Sequence, residues 1–242
     1  MDPVRPPAWI AALVLALLAM PGLAAATTMY EFSEPEISWL ADLVAETEVE
    51  SSSPERIEGG TFLRTVTGLR LVHVYKGELL EGDRVDLVTL GGKLGEEETD
   101  LPSSAVLTPD ERVLVFLEEK GGQWRTLGMS QGVFTLVEEP GSGRDLLMKV
   151  PRPRGLPSFD EAEIQLPPPA WRAYAEPFLG RLVEDLDAGR VPPYARIPGL
   201  DAAKDRRFRK EALRAGQALD PRDLAPGELA GLKAEIERED RR

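Results

Sequence analysis

Thr61-Phe62-Leu63-Arg64-Thr65-Val66-Thr67-Gly68-Leu69-Arg70-Leu71-Val72-His73-Val74-Tyr75 is the stretch on which the fold turns. β-Branched and aliphatic residues dominate it, and no helical spacing of apolar positions runs through it, so it predicts a long strand over 61–75. Gly68 in its interior predicts a bulge or a sharp bend, as the strands of small barrels use. Lys76-Gly77 ends the strand, and Glu81-Gly82-Asp83 turns the chain into a second one, Val85-Asp86-Leu87-Val88-Thr89-Leu90.

Upstream, residues 43–49 read as a short strand. Ser51-Ser52-Ser53-Pro54 and Gly59-Gly60 then read as a loop before the long strand. Downstream, Gly91-Gly92 opens an acidic loop. The compact apolar strand Val113-Leu114-Val115-Phe116-Leu117 follows, with a Lys120-Gly121-Gly122 turn into Trp124–Leu127. Strands over 133–137 and 146–150 close the set. Five to seven short strands with Gly-rich turns and no long helix between them predict a mainly β fold. Its form is a small antiparallel OB-like barrel over residues 27–150, with a β-sandwich as the alternative.

Both flanks change character. Residues 151–169 carry Pro151, Pro153, Pro157 and Pro167-Pro168-Pro169, a stiff extended linker. Residues 170–242 then read as helical. A helix starting at Pro169 or Ala170 would place Trp171, Tyr174, Phe178, Leu182 and Leu186 on one face, with Pro177 kinking it and Gly189 at its C-terminal cap. A last helix covers roughly 226–240, with Leu229, Leu232 and Ile236 along one side. At the other end, residues 1–26 read as a secretory signal peptide. Arg5 precedes the uncharged run Ala8–Met20, Pro21-Gly22 breaks it, and Ala24-Ala25-Ala26 offers small residues for cleavage after Ala26 or Ala25. That run falls short of the ~20 residues a spanning helix needs, and no later segment approaches that length, so no membrane span is expected in the mature form.

The composition narrows the partners. Of 242 residues, 42 are acidic and 29 basic, for a net charge of −13, which repels nucleic acid. The chain has no cysteine, and hence no disulfide, thiolate nucleophile or lipoprotein anchor site. It also has no asparagine, and arginine outnumbers lysine. Together these favour a bacterial protein of the periplasm or extracellular space, whose partner is a protein or another envelope component.

The order of several motifs carries a resemblance: Ala41-Asp42-Leu43-Val44, Thr65, Val72-His73-Val74-Tyr75-Lys76-Gly77, Val85 to Gly92, Glu111 to Leu117, and Gly128-Met129-Ser130-Gln131-Gly132-Val133-Phe134. Over residues 38–138 this plan is similar to a group of exported bacterial proteins of unassigned function. It also loosely resembles the netrin-type OB barrels of metalloproteinase inhibitors. The resemblance implies an OB-like domain and, as one variant, protease inhibition. This chain lacks the amino-terminal cysteine that those inhibitors place on zinc.

Few residues suggest chemistry. Gly128-Met129-Ser130-Gln131-Gly132 satisfies G-x-S-x-G, the nucleophile elbow of α/β-hydrolases. That motif needs a helix after it and a histidine downstream; here Val133–Val137 reads as a strand, and the sole histidine, His73, lies upstream. His73 is expected on the Leu69, Leu71 and Tyr75 side of its strand, and a lone histidine cannot build a His-based metal site. Glu96-Glu97-Glu98-Thr99-Asp100 lacks the spacing of a calcium loop and reads as a solvated loop. Glu46, Glu48 and Glu50 alternate along one solvent face. Lys204–Arg214 is locally basic and reads as an exposed helix, or as a contact for an anionic surface such as phospholipid head groups. Gly91-Gly92-Lys93 lacks the P-loop spacing. No catalytic, cofactor-binding or metal-binding residue is therefore assigned. The expected function is that of an exported non-enzymatic binding module, protein-binding or protease-inhibitor-like. The alternatives are an envelope structural or assembly protein and, more remotely, a serine hydrolase using Ser130.

Overall fold

The Thr61–Tyr75 stretch becomes β2 of a ring of five strands. In the computed structural model, residues 31–101, 104–149, 171–197 and 200–241 are described. The expected signal (1–26) and linker (151–169) lie outside them. In chain order the elements are α1 (Glu34–Leu40), β1 (Leu43–Arg56), β2 (Leu63–Lys76), β3 (Arg84–Leu90), β4 (Gly92–Leu94), β5 (Glu97–Thr99), β6 (Arg112–Lys120) and β7 (Gln123–Thr126). A 3-10 turn at Met129–Gly132 leads to β8 (Val133–Glu138), β9 (Asp145–Lys149), β10 (Trp171–Tyr174), α2 (Ala175–Asp187), α3 (Ala202–Arg214) and α4 (Glu228–Glu239). Glu31–Arg242 form one compact unit.

The ring closes in the order β1-β2-β3-β7-β6 and back to β1. Antiparallel pairing runs from Val44↔Lys76 to Arg56↔Leu63 between β1 and β2, and from Leu43↔Leu117 to Glu48↔Arg112 between β1 and β6. β3 and β7 meet in parallel at Leu87↔Trp124. β6 is the junction. Along one edge it holds β1; along the other it holds β7 with Leu117–Lys120 and β8 with Arg112–Val115. Strands β8, β9 and β10 thereby extend the ring into an eight-stranded mixed sheet. The fold is mainly β with C-terminal helices, as the sequence predicts. The eight strands share one sheet, in place of the two stacked sheets of the sandwich alternative.

Burial explains the unbroken apolar run in β6. Val113, Val115 and Leu117 point into the ring core with Leu43, Leu69, Leu71 and Leu87. Leu114 and Phe116, also buried, point to the other face. There Phe116 meets Phe134 at 5.7 Å between centroids, and Phe134 meets Phe178 of α2 at 5.6 Å. The outer face of the β1–β6 junction is thus a second core, roofed by helices.

Several expectations are corrected. Ser51–Pro54 is not a loop: β1 continues to Arg56, paired with β2, after one extra residue at Glu50 opposite Gly68. The irregularity expected within β2 at Gly68 falls on its partner instead, where Glu50 is the extra residue of β1, and a Cβ on Gly68 would lie 2.7 Å from Ser51 Oγ. The acidic loop is a ribbon, β4 against β5, pinned by Glu97 to Arg56. The helix expected from residue 169 or 170 begins at Ala175, because Trp171–Tyr174 pair with β9 as a strand. Pro177 consequently sits in the first helical turn, where its missing N–H has no partner to lose, and it does not kink the helix. Gly189 does end α2: at φ 58° it donates to the Leu186 carbonyl, and Arg190 donates to that of Asp185, a Schellman closure. His73 faces outward beside Tyr75, as expected, but not on the side of Leu69 and Leu71. The β1–β2 register slips between Glu46 and Thr47, leaving Val72 as an extra residue, so the pleat reverses between buried Leu71 and exposed His73. Finally, α3 is no exposed helix, since Phe208, Arg209 and Ala212 are buried on it.

Candidate functional site

A cleft among the described residues grows from α1, a seven-residue helix that the sequence reading missed. Ser33 precedes it and Glu36 reaches back, its carboxylate accepting from the Ser33 N–H at 2.8 Å and the Ser33 hydroxyl at 2.7 Å. At its other end α1 is capped by two lysines from distant parts of the chain. Lys76 Nζ, at the end of β2, donates to the carbonyls of Ser38 at 2.9 Å and Trp39 at 2.6 Å. Lys204 Nζ, on α3, donates to the Leu40 carbonyl at 3.4 Å and pairs with Asp42 at 2.7 Å. Cations are favoured at the carbonyl end of a helix, and here they also join three elements.

Opposite α1 stands the end of α2 and the extended segment Val191-Pro192-Pro193. The Gln217 side chain fixes that segment: its amide donates to the carbonyls of Val191 and Pro192, both at 3.1 Å, and its oxygen accepts from Tyr194 N–H at 2.9 Å. Tyr194 in turn donates to Asp205 at 3.0 Å and accepts from Arg209 Nε at 2.9 Å. Burial pushes its hydroxyl up to about 12, with Arg209 pulling against it and Asp205 adding to it. Between the walls lies a cleft of about 460 Å³, lined by Pro35, Ser38, Trp39, Lys76, Leu186, Pro192 and Pro193, with Asp185, Gly189, Arg190 and Val191 completing it. Trp39 is held in place by Phe208, 4.7 Å away between ring centroids, and by the Arg207 guanidinium, 5.1 Å from its own centroid.

Lys76 is the electrostatically unusual group in the cleft. Burial lowers its pKa from 10.5 to about 8; nearby Arg207 and Lys204 push the same way, against the pull of Asp42. Accordingly, its side-chain resonances are expected to titrate with a midpoint near 8 in a lysine-labelled NMR titration. A midpoint at the ordinary lysine value would contradict the burial described here. The sign for stability follows. Below about 8 the folded state carries the buried charge at a cost, and between about 8 and 10.5 that cost is relieved as Lys76 loses its proton before its unfolded counterpart does.

The residues singled out in the sequence lie elsewhere and are not brought together. Ser130 sits in the 3-10 turn, and a strand follows Gly132. His73 Nδ1 meets Glu81 at 2.6 Å, and its ring packs edge-on against Tyr75 at 4.6 Å, with no bond to Ser130. Glu46, Glu48 and Glu50 share the outer face of β1 and are engaged there: Glu46 accepts from Tyr75, Glu48 pairs with Arg70, and Glu50 pairs with Arg84 at 2.8 Å. Burial and then Glu46 hold the Tyr75 hydroxyl well above its usual range. Gly91 and Gly92 form the turn into β4, where the Gly91 carbonyl accepts from Thr65 Oγ1 at 2.8 Å. Among the described residues no group of three acidic or histidine side chains is placed to hold a metal ion.

The basic stretch of α3 is a strut. Arg206 pairs with Glu235 at 2.5 Å, Arg209 with Asp205 and Glu228 at 2.8 Å, Lys210 with Glu239 at 2.5 Å and Arg214 with Glu239 at 2.8 Å. Apart from Arg209–Asp205, which lies within α3, these pairs bind α3 to α4 around the small core of Ala212, Leu219 and Leu232. Of the cleft, the sequence held one legible sign, the Ser33-x-x-Glu36 capping box with Pro35 inside it. Lys76 carried none, because its acceptors lie 37 and 38 residues away. Among the described residues no helix is long and apolar enough to cross a membrane. No protein-family model matches the chain, and no curated protein matches its sequence.

Proposed function

We propose that this chain is an exported, non-enzymatic binding module, acting in the periplasm or outside the cell, and that the cleft beside α1 holds its partner, a protein or another envelope component. The observation that carries this reading is the preformed cleft of about 460 Å³ with an aromatic and proline-rich wall and one convergent ammonium group. Ligand sites are typically concavities of roughly this size, mostly apolar with a few fixed polar groups. Trp39 is half-buried and braced on both sides, which is how the tryptophans that dominate binding energies are presented. The resemblance of residues 38–138 to exported bacterial proteins, and the signal-like residues 1–26, support the address.

The alternative, an assembly protein docking through its amphipathic helices, draws less support, because Phe178, Leu182 and Leu232 are buried within the chain itself. The test is capture from an envelope fraction by the immobilised protein, with Trp39→Ala alongside and its fold verified by circular dichroism. Wild type is expected to retain a partner that Trp39→Ala holds at least about tenfold more weakly. Equal retention by both removes the cleft from the reading. No partner at any salt concentration counts against the binding module as a whole.

A further inference from the structure

Lys76 presents a partly buried ammonium group to the cleft. The two acceptors of Lys76 are neutral carbonyls, and among the described residues no carboxylate pairs with it. The nearby anions are taken: Asp42 and Glu118 lie 2.7 and 3.5 Å from Lys204. On the far rim of the cleft, Glu184 and Asp185 each lie 3.0 Å from Arg190. Arg207, over the Trp39 ring, also lacks a carboxylate partner among the described residues. At the end of α1 three cations, Lys76, Lys204 and Arg207, thus stand against two carboxylates, Asp42 and Glu118, while the far rim sets Arg190 against Glu184 and Asp185.

The geometry limits what could neutralise it. An ammonium carries three N–H groups, and two are spent on α1, so the third is left to the cleft that Lys76 lines. A charge withdrawn from water without a counter-ion is costly, and an anion that supplies one relieves part of that cost. One free donor suits a monoanion such as a carboxylate, whereas a phosphate would call for several donors. Around the ammonium the walls are mainly apolar, built from Pro35, Trp39, Leu186, Pro192 and Pro193.

Both features are met by one ligand chemistry. Taking the cleft as the binding site, we propose that it receives a carboxylate joined to an apolar group. The carboxylate accepts the third N–H of Lys76, and the apolar part lies against Trp39 and Pro192-Pro193. Such a group is found at the free C-terminus of an apolar peptide and in small aryl or aliphatic acids.

The charged groups around Lys76 are Asp42 after α1, Lys204 and Arg207 from α3, and Asp185 and Arg190 at the end of α2. Since Lys76 titrates near 8, it is mostly charged at pH 7 and mostly neutral at about pH 9.5. The experiment measures binding of two acids and their uncharged amides to the full protein by calorimetry. The pairs are 4-phenylbutyrate with 4-phenylbutyramide, and acetyl-Leu-Pro-Phe with a free or an amidated C-terminus. At pH 7 at least one acid is expected to bind about tenfold or more tightly than its amide, and the better pair distinguishes small acid from peptide terminus. At about pH 9.5 the preference is expected to shrink to under about threefold.

A folded Lys76→Met protein is expected to keep the amide affinity and lose the preference. If that variant does not fold, the wild-type comparison at the two pH values decides. Equal affinity of acid and amide at pH 7 overturns the carboxylate while leaving the cleft as a ligand site. A preference that persists at about pH 9.5 overturns the role of Lys76, and so does absence of binding by all four probes. Failure of the cleft itself is seen separately, in the retention of a captured partner by Trp39→Ala.

Discussion

Gly132→Ala is expected to destabilise the native fold strongly, while Ser130→Ala two residues away leaves it intact. Gly132 is buried at the end of the 3-10 turn. A Cβ on it would lie 2.4 Å from the Leu127 carbonyl oxygen, 2.9 Å from that of Phe116 and 3.2 Å from the Leu127 nitrogen. All three are backbone atoms, so no side-chain rotation relieves the clash. The same atoms carry the 2.9 Å bond from Leu127 N–H to the Phe116 carbonyl, which ties the exit of β7 to β6. Making room would part β6 from its neighbours at the junction where the ring and the extended sheet meet. A cost of about 3 kcal/mol or more is expected, a large fraction of a typical domain's stability. Ser130→Ala should stay within about 0.5 kcal/mol of wild type. A hydrolase elbow would invert the pattern of interest: a fluorophosphonate probe would label wild type, and Ser130→Ala would abolish the labelling. Thermal unfolding and probe labelling of the two variants separate the readings. A Gly132→Ala protein melting within about 2 °C of wild type would refute the close approach.

Phe208→Ala is expected to undock the C-terminal helices from the ring. Its side chain is fully buried, with its ring 4.7 Å from Trp39 on α1 and 5.2 Å from Tyr194. Truncating a buried phenylalanine costs about 3–5 kcal/mol. Here the loss falls on one interface, because the ring core is built from other residues, among them Leu43, Leu69, Val113 and Leu117. Hydrogen exchange should therefore accelerate over 194–241 and over α1, while β1, β2 and β6 keep their protection. The cleft should go with the interface, since Trp39 loses the ring that braces it. Uniform loss of protection across the strands would show instead that the ring depends on the helices to fold.

Much of this architecture was legible before any coordinates. The β2 stretch and the strand after Gly132 are local matters of pattern and turn residue, and local signals survive in sequence. Even so, the pattern misled where one residue changed the parity. The extra residue at Val72 turns His73 outward, and no alternation rule shows where a register slips. Trp171–Tyr174 misled for a related reason: its apolar spacing continues that of α2, but β9 offers an open edge, and four residues pair with it as a strand. The cleft was the least legible feature. Its polar anchor, its aromatic wall and its proline wall come from β2, α1 and the segment after α2, and are joined by the side chains of Gln217 and Lys204. Non-local contacts of that kind leave no spacing to read. The basic run of α3 was visible, and its use was not, because its carboxylate partners lie mainly on α4.

Trp39 lines the cleft, whereas Trp124, on β7, packs against the ring core. Their indole N–H resonances, followed while the captured partner is titrated into the labelled protein, therefore report on the two surfaces at once. Movement of the Trp39 signal with the Trp124 signal unchanged is the expected result. Movement of Trp124 with Trp39 at rest would place the partner on the ring and contradict a binding site in the cleft.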